Sequence, residues 1–418
     1  MSNEMIINDS SKKEKDILLI KEDKNNNFLE VSPKIRTIII FSLISSLLLM
    51  ITISFMIALS LDKKDSNKPK KEKKKNYIFA KYNEEDRAEV KLINSKYINF
   101  ISSIRLDDIE IPNISNTILF NLSGLHKVEI FFKKGLNSTS QMFEYCPKLT
   151  EIDLSNLETK NLKNMDEMFF FCESLTSINF GNFSTKNVIN MKGLFFGCQL
   201  LNTLNLKNFD TSNVEDMSRM FSDCESLPEL DITNFKTLKV KKMDKMFYNC
   251  NSLKSINLNN FDTSKVVNME GMFDLCYSIN NINIKNFDTS QVTIMSYMFG
   301  ANFLLKSIDL SNFNTGNVNK MINMFYGCET LNYLNLSNFD TSKVEYMGEF
   351  FGKCSNLKKI DIRNFYSKSL KEKKNLFNGI YSEGGEIYFN SNKFDINLFN
   401  YSTLENWTIF DIKKENKM

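Results

Sequence analysis

Apolar and polar positions along residues 149–382 follow a fixed 26-residue period. In the unit starting at Leu201, Leu204 and Leu206 alternate with Thr203, Asn205 and Lys207, the signature of a short strand with one buried face. The period then changes. Val214, Met217, Met220, Phe221 and Cys224 follow 3/4 spacing and predict an amphipathic helix of two to three turns. Thr precedes that helix in eight units (Thr159 to Thr341) and Ser367 in a ninth, a position where a hydroxyl serves as N-cap. Asn182, Asn208, Asn234 and their equivalents leave each strand, where a side-chain amide bonds the backbone of neighbouring units.

The register is kept by Cys146, Cys172, Cys198, Cys224, Cys250, Cys276, Cys328 and Cys354, with Asn302 in the one vacant slot. No unit of this kind buries its apolar side alone, but a stack does. Strands repeating at about 4.8 Å and helices at about 8–10 Å force the stack to bend. The expected fold is an α/β solenoid, a leucine-rich arc with a parallel β-sheet on the concave side and short helices on the convex side.

Ahead of the repeats, Thr37 to Leu61 form 25 consecutive uncharged residues. At about 1.5 Å per residue they reach roughly 37 Å, enough to cross a bilayer core of about 30 Å with some tilt. The expected organisation is a polar tail (1–36), a transmembrane helix (37–61), a Lys-rich linker (62–77), an N-terminal cap (78–124), the repeat solenoid (125–385) and a C-terminal cap (386–418). Orientation is contested. Three cations precede the span and eight lysines (Lys63 to Lys75) follow it within fifteen residues on each side, so the positive-inside rule places the repeats in the cytosol. Eight Asn-x-Ser/Thr sequons, such as Asn121-Leu122-Ser123, are no more than an Asn-rich chain yields by chance.

The pattern L-x-x-L-x-L-x-N-F-D-T-S-x-V-x-x-M-x-x-M-F-x-x-C resembles the BspA-like leucine-rich repeat family, which includes repeats of many mycoplasma surface lipoproteins. The resemblance implies a right-handed leucine-rich solenoid and a surface protein engaged in adhesion or recognition. Those lipoproteins attach through a cysteine at the end of the signal. No cysteine precedes Cys146 here, so a transmembrane helix would replace the lipid anchor.

Composition narrows the chemistry. A single histidine, His126, removes most triads and His-ligated metals, 14 glycines leave little for phosphate loops, and a net charge of +3 gives no footprint for nucleic acid. No cofactor and no catalysis are expected. Eight cysteines in one slot read as a buried thiol ladder, with bridging between neighbours as the alternative where Cα atoms lie about 4.4–6.8 Å apart. Fifteen of twenty methionines occupy two repeat positions and read as core filler rather than a copper array. Asp210-Thr211-Ser212 resembles an aspartic-protease triplet, but proteolysis needs two facing carboxylates, whereas each copy here starts its own helix.

The candidate partner-binding surface is the polar row on the concave face: Asp153, Asn179, Asn205, Asp231, Asn257, Asn283, Asp309, Asn335 and Asp361. Tyr333, Lys207, Lys285, Lys359 and Arg363 vary around it, and a merely solvated sheet face is the competing reading. The functional expectation is a single-pass, membrane-anchored, non-catalytic surface protein that binds a protein or glycan through this face. The alternative is a cytosol-facing, membrane-tethered scaffold of the same fold.

Overall fold

The computed structural model describes residues 76–85, 87–380, 384–399 and 404–415. The expected span at 37–61 lies outside them. Among the described residues no helix is long and apolar enough to cross a membrane.

The chain enters through an antiparallel unit. Strands β1 (Tyr77–Glu84), β3 (Ile101–Leu106), β4 (Ile109–Glu110) and β6 (Gly124–Phe132) pair in the order β4-β3-β6-β1, while β2 (Ala88–Lys91) pairs with β5 (Thr117–Phe120). β1 then pairs antiparallel with β7 (Leu149–Asp153), the first strand of the repeats, and so covers the edge of the stack that would otherwise be open. His126 locks the far end of this unit. Its Nδ1 lies 2.8 Å from Asp107 Oδ2 and its Nε2 2.8 Å from the Leu122 carbonyl.

From β7 onward the chain is a β-solenoid of about ten coils, one per 26 residues. β7 pairs parallel with β8 (Ser177–Asn179), β9 (Ser255–Asn257) with β10 (Asn281–Asn283), and β11 (Tyr333–Asn335) with β12 (Lys359–Asp361). β13 (Gly385–Phe389) and β14 (Trp407–Asp411) continue that last ladder in parallel through the segment expected to cap the C-terminus. The sheet is interrupted: residues 203–205, 229–231 and 307–309 occupy strand positions but join no ladder. One interruption has a visible cause. Thr176 donates its amide to the Thr150 carbonyl one coil back, and the equivalent Pro228 has no N–H to give.

The helices expected opposite the sheet are not formed. Residues 217–224 and their equivalents run instead as successive β-turns, with Met220 N–H donating to Met217 O, Ser222 to Arg219 and Cys224 to Phe221. The intervening amides leave the coil: Met217, Arg219, Phe221 and Asp223 donate to carbonyls of Lys242, Asp244, Met246 and Tyr248 in the next coil at 2.8–3.1 Å. A helix would spend those donors on itself. The 3/4 apolar spacing survives because the turns Met217–Met220 and Phe221–Cys224 bring their first and fourth residues inward. Parallel bridges link Ser138, Asn164, Asn190 and Asp216 onward to Glu372, so this side also repeats at strand spacing. The spacing mismatch that predicts an arc is therefore absent.

These turns place two residues per coil at positive φ, such as Arg219 (57°) and Asp223 (58°). Across ten coils only Gly193, Gly197, Gly271, Gly327 and Gly379 are glycines at these positions. Each of the others costs about 1–2 kcal/mol in this conformation. The inter-coil hydrogen bond made by the same amide, as at Arg219 and Asp223, offsets it.

Like side chains form columns. Phe143, Phe169, Phe195, Phe221, Phe247, Phe273, Phe299 and Phe325 stack near-parallel, with centroids 5.5–6.0 Å apart. The two methionine columns are buried as core filler. The thiols are free and buried, and each from Cys172 on donates to a Phe carbonyl one coil back, for example Cys224 to Phe195 at 3.3 Å. The threonines are not N-caps. Thr211 Oγ1 accepts from the Lys236 amide at 2.7 Å and donates to the Lys236 carbonyl at 3.0 Å, clamping one residue of the next coil. From Asn208 on, the asparagines bond the coil before them, one of the two neighbours expected, Asn234 Nδ2 reaching the Leu206 and Phe209 carbonyls at 3.0 and 2.9 Å.

Asn302 is the fault in the thiol column. Its Nδ2 turns back to the Phe299 carbonyl at 2.8 Å and its Oδ1 is buried without a partner. Asn302→Cys is expected to restore the bond to Phe273 O and raise stability by about 1–3 kcal/mol, read from the denaturant midpoint. Burial pulls the His126 imidazole down, but hydrogen bonds to Asp107 and Leu122 outweigh it and its pKa is raised. Burial likewise pushes Asp107 up, but bonds from His126 and the Lys127 amide bring its pKa below the usual range. The imidazolium contribution is full below the unfolded value of about 6.5 and fades as pH rises through the folded one. The Asp107 contribution is full above about 3.9 and fades as pH falls. Thermal melting is expected to drop on the alkaline side, and His126→Gln to flatten that drop.

Candidate functional site: the polar strand face

Within each strand the third and fifth residues of the unit face outward and the fourth inward. Ser255 and Asn257 are exposed around buried Ile256, and Tyr333 and Asn335 around buried Leu334. The polar row thus occupies the predicted face, but its first task is local. Asp153 Oδ1 accepts from the Ser155 amide at 2.8 Å, Asn205 from Lys207 at 3.2 Å, Asp231 from Thr233 at 3.2 Å and Asn335 from Ser337 at 3.0 Å. Asn179, Asn257, Asp309 and Asp361 do the same. These are Asx-turns that let the chain leave the strand. Asn283 is the exception, its Oδ1 buried without a partner.

At both ends the charged members are satisfied internally. Glu151 pairs with Lys81 of β1 at 2.7 Å, and Asp153 Oδ2 accepts from Asn179 at 3.0 Å. At the C-terminal end Asp361 is buried and takes the Arg363 Nε on both oxygens, at 2.9 and 3.0 Å. Lys359 Nζ lies 2.9 Å from Glu386 and 4.8 Å from the Tyr388 ring centroid, and Tyr388 donates to Glu386 at 2.9 Å. Bonding to Lys359 and Tyr388 holds the Glu386 carboxyl below its usual range. Arg363, Lys359 and Asp361, proposed from sequence as partner contacts, therefore have partners within the chain. Tyr333 is exposed on the same face, and Lys285 lies close enough to Asp309 to help lower its pKa after the bonds from Ser311.

The centre of the face is different. Where the ladder lapses between β8 and β9, a groove of about 710 Å³ opens. Leu204 and Leu230 lie only partly buried in its lining. Asn205, Lys207, Asp231 and Asn257 line it, four residues of the predicted set brought together, and Thr203, Glu229 and Ser255 join them. Side-chain and backbone bonds from Thr233, with Lys207 nearby, hold Asp231 below the usual carboxylate range. The groove was missed from sequence because it depends on a break in a periodic element; Pro228 is the residue that signals it.

The other candidate chemistries do not assemble. Asp210, Asp262, Asp288 and Asp340 each accept from the serine amide two residues on, at 2.9–3.0 Å, and so close turns of their own coils. Burial pushes the thiols of Cys146, Cys276 and Cys328 up to about 12 and the other cysteines well above their ordinary value, which suppresses the thiolate needed for nucleophilic or ligand chemistry. Among the described residues no three His, Cys, Asp or Glu side chains are placed to hold a metal ion.

The repeats match a family model described as mycoplasma protein of unknown function, DUF285, over residues 137–255, 170–282, 228–308 and 297–408. Together these stretches cover well over half of the 418 residues, and the chain belongs to that family. No curated protein matches the chain. Because the polar row closes turns, Asn335→Ala is expected to lower stability by about 0.5–1.5 kcal/mol. Asn335→Asp keeps the accepting oxygen and is expected to leave the denaturant midpoint nearly unchanged.

Proposed function

We propose that this DUF285 protein is a non-catalytic binding module, anchored in a membrane by residues 37–61, that engages a protein or glycan partner through its polar strand face. The observation that carries this reading is the groove at 203–257, the part of the face where Lys207, Glu229 and Asp231 form no internal ion pair among the described residues. The pattern's resemblance to BspA-like leucine-rich repeats adds a surface role in adhesion or recognition. The 25-residue uncharged run supplies the anchor.

The cytosol-facing alternative draws on the eight lysines after the run. The cysteines do not favour it. Their thiols are buried and hydrogen-bonded, so they survive reduced in an oxidising compartment as well. Protease treatment of sealed cells separates the two orientations, since only an outward domain is shaved.

The binding reading is tested by probing protein and glycan arrays with the whole chain. A specific ligand is expected whose affinity shifts about tenfold, or about 1.4 kcal/mol, on Lys207→Glu, rising for a cationic ligand and falling for an anionic one. Lys241→Ala, on the turn side, should leave it unchanged. Ligands indifferent to Lys207→Glu would remove the groove from the binding surface.

A further inference from the structure

The groove has a definite chemical character. Glu229 and Asp231 lie two residues apart on one strand position and face the same way, so their side chains leave the backbone about 7 Å apart. Neither forms an ion pair among the described residues, whereas Glu151, Asp361 and Glu386 on the same face each have a cation. Lys207 is the one cation among the lining residues, which leaves the groove with a net negative charge. Asp231 spends Oδ1 on Thr233, both amide and hydroxyl, and its lowered pKa keeps it ionised.

Below the carboxylates the lining is apolar. Leu204 and Leu230 stand one coil apart and only partly buried, with Ile178 and Leu206 beside them. The lining runs from Ile178 to Asn257, across four coils, or about 14 Å at strand spacing. That length matches about four residues of extended polypeptide. Insertion between coils is excluded, because Ser226 donates to Gln199 and Asn234 to Leu206 on either side of the break, holding the coils together. The occupant must lie on the face.

We propose that the groove takes an extended polypeptide segment of a partner protein, with a Lys or Arg side chain between Glu229 and Asp231 and a neighbouring apolar side chain against Leu204 and Leu230. The inference rests on the strand face being the binding surface and names the class of partner. A neutral glycan would use the amides and hydroxyls but leave both carboxylates uncompensated, at a desolvation cost that a cation avoids.

The test is an immobilised array of heptapeptides of varied sequence, probed with the whole 418-residue chain. Peptides that bind are re-measured by fluorescence anisotropy as fluorescein-labelled pairs carrying either arginine or uncharged citrulline. The expected result is enrichment of Lys or Arg beside an apolar residue, and a loss of about tenfold or more with citrulline. The double variant Glu229→Gln/Asp231→Asn, which preserves shape and the turn-closing Oδ1, should lose the same factor. Binding should also weaken with salt. Absence of basic enrichment, equal binding of citrulline peptides, unchanged binding by the double variant, or no binding peptide at all would each overturn the inference. A glycan signal sensitive to Lys207→Glu, found alongside such a result, would leave the strand face as the binding surface and remove only the peptide.

Discussion

Each coil hands its backbone hydrogen bonds to the next, and every other feature follows from that. Amides that a helix would use internally, such as those of Met217, Arg219, Phe221 and Asp223, reach carbonyls one coil further on. A buried peptide group left unpaired is costly, so the register cannot slip without orphaning a whole row of donors. Keeping that register places every side chain against its own copy. The phenylalanine, thiol, threonine and asparagine columns are the result, and fourteen non-glycine turn residues, Gln141 to Lys353, are tolerated at positive φ because the same amides are bonded across coils.

On the polar face, structural duty accounts for most of one set of residues and leaves few for the recognition proposed above. Asp153 through Asp361, Asn283 excepted, close turns, which accounts for small Asx side chains at that position without reference to any ligand. Partnering by Lys81, Arg363 and Lys359 silences the charges at either end. Beside Pro228, which withholds a donor, the ladder lapses and leucine side chains stand partly exposed next to carboxylates that form no ion pair among the described residues. The difference between the scaffold and the proposed site lies in which hydrogen bonds are missing, not in which residue types are present.

Much of this was written in the sequence. The spacing of Cys146 to Cys354 established a stacked architecture, and the alternation around Leu204 and Leu206 marked the strand position. The turn side was illegible for a specific reason. Type II turns announce themselves through glycine at their third residue, and Arg219, Asp223, Lys245 and Asn249 occupy that place instead. With glycine at only five of these twenty positions, inward corners every three or four residues imitate a helix. Thr211 misleads in the same way, since a clamp on the next coil and an N-cap demand the same hydroxyl at the same place. Lys359 looked available because its partner Glu386 sits beyond the regular repeat.

The covering of the first strand by β1 makes the two ends of the molecule unequal. The antiparallel unit closes one edge of the stack, while at the other edge β14 is the last strand of its ladder among the described residues. In such a column length is counted in whole rungs. Loss or gain of 26 residues would shorten or lengthen the stack while keeping the backbone register of the remaining coils, whereas any other change in number would break it.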